Sequence, residues 1–269
     1  MKKIHILLLI FTGFIINSCE DVVETNLTTA PPRLVIDASI NWEKGTLGNN
    51  QYIRLSTTTG FYENEIPDVT GAVVFVENNN GDIFEFREEA DGLYVCNNFV
   101  CEIGETYTLT VIHNSETYIA EETLIAVPEL EEVVQSNEGF TPNDITLRAY
   151  FQDPPEDNFY MQEIGREGKQ GSPAVFDDRF VNGNYTYTVR IFDDLVTGEE
   201  IIIYLYGISS RYYDYMLKLL SITGDAEVNP FRPPPGTVRG NIINKNNPDN
   251  YALGYFRLSE VSSIEYTAQ

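Results

Sequence analysis

Cys19 is the side chain in this sequence with the most chemistry open to it. It follows Met1-Lys2-Lys3 and a mostly apolar stretch from His5 to Ile16, with Asn17-Ser18 just before it and Glu20-Asp21 just after. Two lysines, a short apolar run and a small residue before a break are the parts of a secretory signal peptide. The run is shorter than the about 20 apolar residues a membrane-spanning helix needs. A cysteine at this place is where a lipoprotein leader is cut and the thiol acylated. The expectation is therefore a leader over residues 1–18 and a mature chain that begins at a lipidated Cys19. Each acyl methylene buried in a bilayer contributes about 0.8 kcal/mol, so two or three chains on one cysteine would hold a folded domain on a membrane.

The other groups capable of chemistry are few. Cys96 and Cys101 form an even pair in an exported chain, which reads as a structural disulfide across a hairpin tip at Asn97-Asn98-Phe99-Val100. A redox pair or a metal site is the alternative, but the spacing is not C-x-x-C and no histidine lies beside it. Outside the leader the one histidine is His113, at a strand end beside a turn. Ser-His-Asp or Cys-His catalysis, and zinc held by several histidines, have little to work with. No GxSxG, GxxxxGK[ST], HExxH or post-strand GxGxxG occurs. A two-carboxylate glycosidase needs only two acids at the right separation, and among 41 acidic residues chance pairs carry no weight. No catalytic residue, metal ligand or cofactor is assigned, and the chain is read as a non-enzyme.

Those 41 acids face 17 lysines and arginines, for a formal charge of −24. Loss of the leader removes Lys2 and Lys3 and no acid, so the mature chain is more acidic still. Such a surface repels nucleic-acid phosphates and anionic headgroups, which excludes nucleic-acid and lipid-surface binders. The obvious acidic clusters are Asp153 to Asp157, Asp177-Asp178 and Asp193-Asp194. Clustered carboxylates suit calcium, but none has the D-x-[DN]-x-[DN]-G spacing of a calcium loop. The 17 tyrosines and 15 phenylalanines suit either a β-sandwich core or stacking on flat ligands such as sugars and peptides. The densest cluster is Arg211-Tyr212-Tyr213-Asp214-Tyr215, where Tyr212 and Tyr215 are candidates for the outside.

The elements that must position these groups are mostly strands. Residues 19–32 are acidic and polar and end in Pro31-Pro32, a tether between lipid and globule. Strands then follow in short alternating runs: Leu34 to Ile36, Gln51 to Ser56, Ile83 to Arg87, Leu93 to Cys96 and Thr117 to Ala120. Ala72 to Val76 is continuously apolar, as for a strand buried on both faces. In Tyr107 to Val111 the tyrosine, leucine and valine point inward between outward threonines. Asn80-Gly81 predicts a two-residue hairpin turn with positive φ at both centres, and Asn114-Ser115 makes another turn. Short strands between turn signals predict a β-sandwich over 33–127, and this region resembles transthyretin-like and Ig-like sandwiches. Val127-Pro128 marks a boundary to a second β-rich region, 128–269. That region has strands at Ile145 to Phe151, Asn158 to Ile164, Tyr185 to Ile191, Glu200 to Tyr206 and Tyr251 to Leu258. One helix is expected near 210–223, capped by Ser209-Ser210, ended by Gly224, with Tyr213, Met216, Leu217 and Leu220 on its apolar face.

The landmarks G-A-V-V-F-V, N-G-D, D-G-L-Y, G-E-T-Y-T-L-T-V and T-Y-I-A in the first region, with Y-x-x-M-L, N-P-F-R-P-P-P-G-T-V-R-G-N-I and G-Y-F in the second, resemble the Bacteroidota outer-membrane lipoprotein family classified as domain of unknown function 4249. The likeness spans nearly the whole mature chain. The motifs are turns and strands, so they point to a family and not to a mechanism. Asn244-Lys245-Asn246-Asn247-Pro248 departs from the glycine-rich link expected before Gly-Tyr-Phe. The resemblance implies a neighbouring TonB-dependent outer-membrane transporter as partner and an accessory role in uptake. It also implies that Glu20 and Asp21 are an export signal to the outer face of the cell. The expectation is a surface-exposed, lipid-anchored, non-catalytic accessory or ligand-capture subunit of such a transporter. A surface adhesin or structural lipoprotein is the alternative, and a glycan or peptide hydrolase a more distant one.

Overall fold

Sixteen strands and one helix make up the described part of the chain, and β structure covers about half of all residues. The computed structural model describes residues 31–60, 63, 65–142, 144–223 and 237–269. Cys19, Glu20, Asp21 and Gly224 lie outside the described residues. Pro32–Gln269 forms one compact unit.

The first region supplies β1 (Leu34–Glu43), β2 (Gln51–Thr57), β3 (Val73–Asn78), β4 (Ile83–Ala90), β5 (Leu93–Cys96), β6 (Thr106–His113) and β7 (Glu116–Thr123). They form one hydrogen-bonded path that curls over on itself, β1-β2-β5-β4-β3-β6-β7. The fold-over is at β4, whose first half pairs with β3 and whose second half pairs with β5 across an irregularity between Glu88 and Ala90. Period-two alternation decides what faces in. Ile53 and Leu55 of β2 and Tyr107, Leu109 and Val111 of β6 are buried, as expected. β3 departs from its expected burial on both faces: Val74 and Val76 are buried, but Val73 is largely exposed. Each fully buried Ile, Leu or Phe contributes roughly 1.5–3 kcal/mol, and one cluster joins Ile36, Ile40, Leu55, Phe84, Phe99 and Leu109.

The turns correct one expectation. At Asn80-Gly81 only the glycine has positive φ (84°). Gly81 N–H donates to Asn78 O and Asn78 N–H donates to Asp82 O, so the loop is a three-residue hairpin with a glycine bulge. The two-residue turn with positive φ at both centres is at Asn114 (51°) and Ser115 (63°), between β6 and β7.

The second region supplies β8 (Leu130–Ser136), β9 (Ile145–Gln152), β10 (Phe159–Arg166), β11 (Lys169–Gln170), β12 (Ala174–Asp177), β13 (Tyr185–Phe192), β14 (Glu200–Ile208), α1 (Ser210–Thr223), β15 (Ile243–Asn244) and β16 (Leu253–Thr267). β8, β9 and β13 make a separate three-stranded sheet. Its buried residues Leu147, Ala149 and Phe151 share a core with Tyr160, Ile201, Ile203 and Leu205 from β10 and β14.

β16 ties the two regions together. Over Leu253 to Val261 it runs parallel to β1, and over Val261 to Thr267 it runs antiparallel to β14. Phe256 and Leu258 enter the first core. The crossing at Ile125–Leu130, near the expected boundary, is fastened to the same strand. Glu260 N–H donates to Ile125 O, Val127 N–H to the Glu260 carboxylate at 2.9 Å, and Leu130 N–H to Ser262 Oγ at 2.8 Å.

Candidate functional site

The two cysteines are free thiols in the structure, which corrects the expected disulfide. β5 pairs with β2 and β4, so residues 97–101 are not a hairpin tip that would bring the sulfurs level. Phe99 folds this loop inward instead, 4.7 Å from Phe84 and 5.3 Å from Tyr107 by ring centroids. Cys96 Sγ is 3.2 Å from Asn98 Oδ1 and Cys101 Sγ is 3.5 Å from Gly48 O. Burial pushes both thiols up, Cys101 to about 12, so they stay protonated near neutrality and are poor nucleophiles. His113 rests against its neighbour Asn114, whose Nδ2 is 2.9 Å from the ring Nε2.

The acidic clusters act as fasteners. Buried Asp153 accepts from Tyr160 OH at 2.6 Å and from Gly183 N–H at 2.9 Å. Asp178 accepts from Asn158 N–H at 2.7 Å. Asp177 accepts from Arg179 Nε at 2.8 Å and Tyr213 OH at 3.3 Å. Asp194 accepts from Arg166 and Lys169, each at 2.7 Å, and these cations hold its carboxyl down to about 2. Among the described residues no group of three or more His, Cys, Asp or Glu side chains is placed to hold a metal ion.

A polar and aromatic cluster lies beneath α1. Ser209 caps the helix by accepting from Tyr212 N–H at 3.2 Å. Its hydroxyl donates to Glu122 at 3.1 Å. Glu122 is buried and also accepts from Tyr255 OH at 3.1 Å and Arg211 Nη2 at 3.4 Å. The buried helix face is Tyr212, Met216 and Leu220, whereas Leu217 is exposed. Tyr212 and Tyr215 turn inward, not outward, because both rings pack on Tyr255 at 4.9 and 4.8 Å. The sequence pattern showed an apolar stripe, but it could not show that β16 offers a tyrosine to receive these rings. Arg257, only 5% exposed, lies over Tyr206 at 5.0 Å and Tyr212 at 5.3 Å. Among the described residues its Nε and Nη1 find no hydrogen-bond acceptor. Its ring partners come from β14 and α1, so the sequence around it carried no signal.

The outer face of the β8-β9-β13 sheet is unusual for so acidic a chain. In β13 the residues at period two, Tyr185, Tyr187, Val189 and Ile191, are 42–48% exposed. Register places Tyr150 of β9 opposite Tyr187 and Glu132 of β8 opposite Tyr150. The Tyr150 ring lies 5.1 Å from Tyr187 and 5.7 Å from Tyr185, and Arg148 sits over Tyr187 at 5.6 Å. Tyr185 OH donates to Glu132 at 3.2 Å. The alternation Y-T-Y-T-V-R-I was visible in the sequence, but which of its faces met solvent was not.

The fold and these surfaces define a mainly β protein of packed sandwiches joined by a shared long strand, with a helix over one sheet. The chain belongs to the family described as "Domain of unknown function (DUF4249)", whose model matches residues 20–265. No curated protein matches it. Among solved structures, a two fibronectin type-III domain segment from chicken tenascin is 15% identical, covers 65% of this chain and 90% of its own, and has a TM-score of 0.21. A cytokine receptor complex is 8% identical, covers 65% of this chain and 82% of its own, and has a TM-score of 0.24. At these scores neither likeness bears on what the chain does. No helix among the described residues is long and apolar enough to cross a membrane, which says nothing of an anchor at Cys19.

Proposed function

We propose that this protein is a lipid-anchored, non-catalytic accessory subunit of a TonB-dependent outer-membrane transporter, held on the outward face of the membrane through Cys19. The observation that carries the reading is the face of exposed Tyr185, Tyr187, Val189 and Ile191 and half-buried Tyr150 on the β8-β9-β13 sheet. Tyrosine is a favoured anchor in protein interfaces, because it offers large contact area with a polar tip. The chain is strongly acidic overall, so an apolar and aromatic patch is where a partner could be desolvated at low cost. Glu20 and Asp21 fit an outward export signal, and residues 19–32 give the globule reach above the lipid.

The test is affinity purification of the full chain from detergent-solubilised membranes of its own host. The wild-type chain should bring a transporter barrel with it. Tyr185→Ser with Tyr187→Ser should lower the yield of that barrel by about tenfold or more, since one interface tyrosine is often worth about 1–2 kcal/mol. A wild-type preparation without any barrel would contradict the proposal.

A further inference from the structure

A pocket of about 350 Å³ opens between α1 and the segment before β15. Arg211, Tyr215 and Lys218 reach it from one helix face, at the i, i+4, i+7 spacing. Arg239 and Asn241 form the opposite wall, and Tyr255 of β16 contributes to the lining. Three cations therefore converge where none of the described lining residues is an acid, in a chain with 17 basic and 41 acidic residues.

Another cationic cleft is neutralised from within. A larger cleft of about 860 Å³ holds Arg166 and Lys169, but both are bonded to Glu199 and Asp194. In the smaller pocket only Arg211 has an acidic partner, Glu122 at 3.4 Å. Lys218 and Arg239 make no ion pair among the described residues. Arg239 is instead held flat over the Tyr251 ring at 3.6 Å, with Arg33 over the same ring at 4.0 Å.

The opposite wall is built firmly. Asn241 Nδ2 donates to Phe256 O at 2.8 Å while its Oδ1 accepts from Phe256 N–H at 2.9 Å. A Cβ at Gly240 would run into the Gly254 carbonyl, so this segment lies tight against β16. Tyr215 and Tyr255 pack 4.8 Å apart by ring centroids, and Tyr255 OH is already committed to Glu122. Tyr255 is only 6% exposed beneath the Tyr212 and Tyr215 rings, so the half-buried Tyr215 is the aromatic ring a ligand would meet.

We infer that this pocket is a binding site for a small ring-bearing carboxylate, of the size of a uronic acid, with its carboxylate toward Lys218, Arg239 and Arg211 and its ring against Tyr215. Cations held near each other attract an anion, and among the described residues only Arg211 of the three has a carboxylate beside it; guanidinium groups pair with carboxylates in fixed geometry. A volume near 350 Å³ lies at the small end of ligand sites. The acidic surface beyond the pocket disfavours a long polyanion, which would have to cross it, and favours a compact ligand with one charge. The site shares no residue with the tyrosine face, and it stands or falls independently of docking to a transporter.

Isothermal titration of the full chain in detergent with D-glucuronate, and separately with D-glucose, tests the assignment without any partner protein. Glucuronate should bind at least about tenfold more tightly than glucose, and added salt should weaken it. Lys218→Glu with Arg239→Glu should abolish the preference. Lys218→Glu alone, at a helix surface position, should reduce it by about tenfold and gives a readable result if the double variant folds poorly. Equal affinity for the two sugars, no measurable glucuronate binding, or binding unchanged by Lys218→Glu would overturn the inference.

Discussion

Asp194 shows how this chain uses its acids. Lys169 and Arg166 hold its carboxyl below the ordinary 3.8, at about 2. A carboxyl whose value is depressed on folding contributes stability above its unfolded value and loses that contribution as pH falls through the folded one. The contribution from Asp194 is therefore complete above about pH 4 and lost between there and about pH 2. Asp177 and Glu199 are also lowered, chiefly by Arg179 and Arg166, and add to the same acid-side loss. Asp194 is half exposed, so solvent screening keeps its own share under about 1 kcal/mol. Thermal melting of Asp194→Asn should show a lower midpoint than wild type at pH 7 and a smaller gap at pH 2. A gap that widens on acidification would contradict this assignment. At this scale the sequence was poorly legible for Cys96, Cys101 and Arg257, whose fates depend on neighbours distant along the chain.

At the scale of elements, strands were legible wherever one face is apolar and the other polar, as in β2 and β6. β16 was read only as Tyr251 to Leu258, yet it continues to Thr267. Its last part, S-S-I-E-Y-T, offers only Ile264 and Tyr266 as alternating apolar residues, both half-buried against the second core while Glu265 and Thr267 are exposed, which is too short a pattern to mark a strand. β8 was missed for a related reason: L-E-E-V-V-Q-S puts acids where a period-two pattern needs apolar residues. The apolar stripe of α1 was legible within one residue, but its rotation was set by Tyr255. The start of β16 makes its own prediction. Gly254 has φ of 92°, and a Cβ there would meet the backbone carbonyl of Ile36 on β1. Gly254→Ala should cost roughly 2–4 kcal/mol, combining left-handed strain with a backbone clash. Gly81→Ala has φ of 84° but open space around it, so it should cost only about 1–2 kcal/mol. Urea midpoints of the two variants decide the matter, and equal losses would mean that the β1–β16 contact is not the tight point of the fold.

At the scale of the molecule, one strand shared between two sandwiched regions makes one compact unit that can present separate surfaces at once. One is the tyrosine face of the β8-β9-β13 sheet and another is the basic pocket beside α1. Family membership was legible from turn and strand motifs spread along the chain, whereas the two surfaces arise from register and packing that those motifs do not encode. The account depends on where this body is kept. Fractionation of cells carrying wild-type chain or Cys19→Ala is the direct test of that tether. The account predicts wild type in the outer-membrane fraction and Cys19→Ala as a folded, soluble protein outside it. A Cys19→Ala chain that stays with the outer membrane, or a wild-type chain found free of it, would contradict the account.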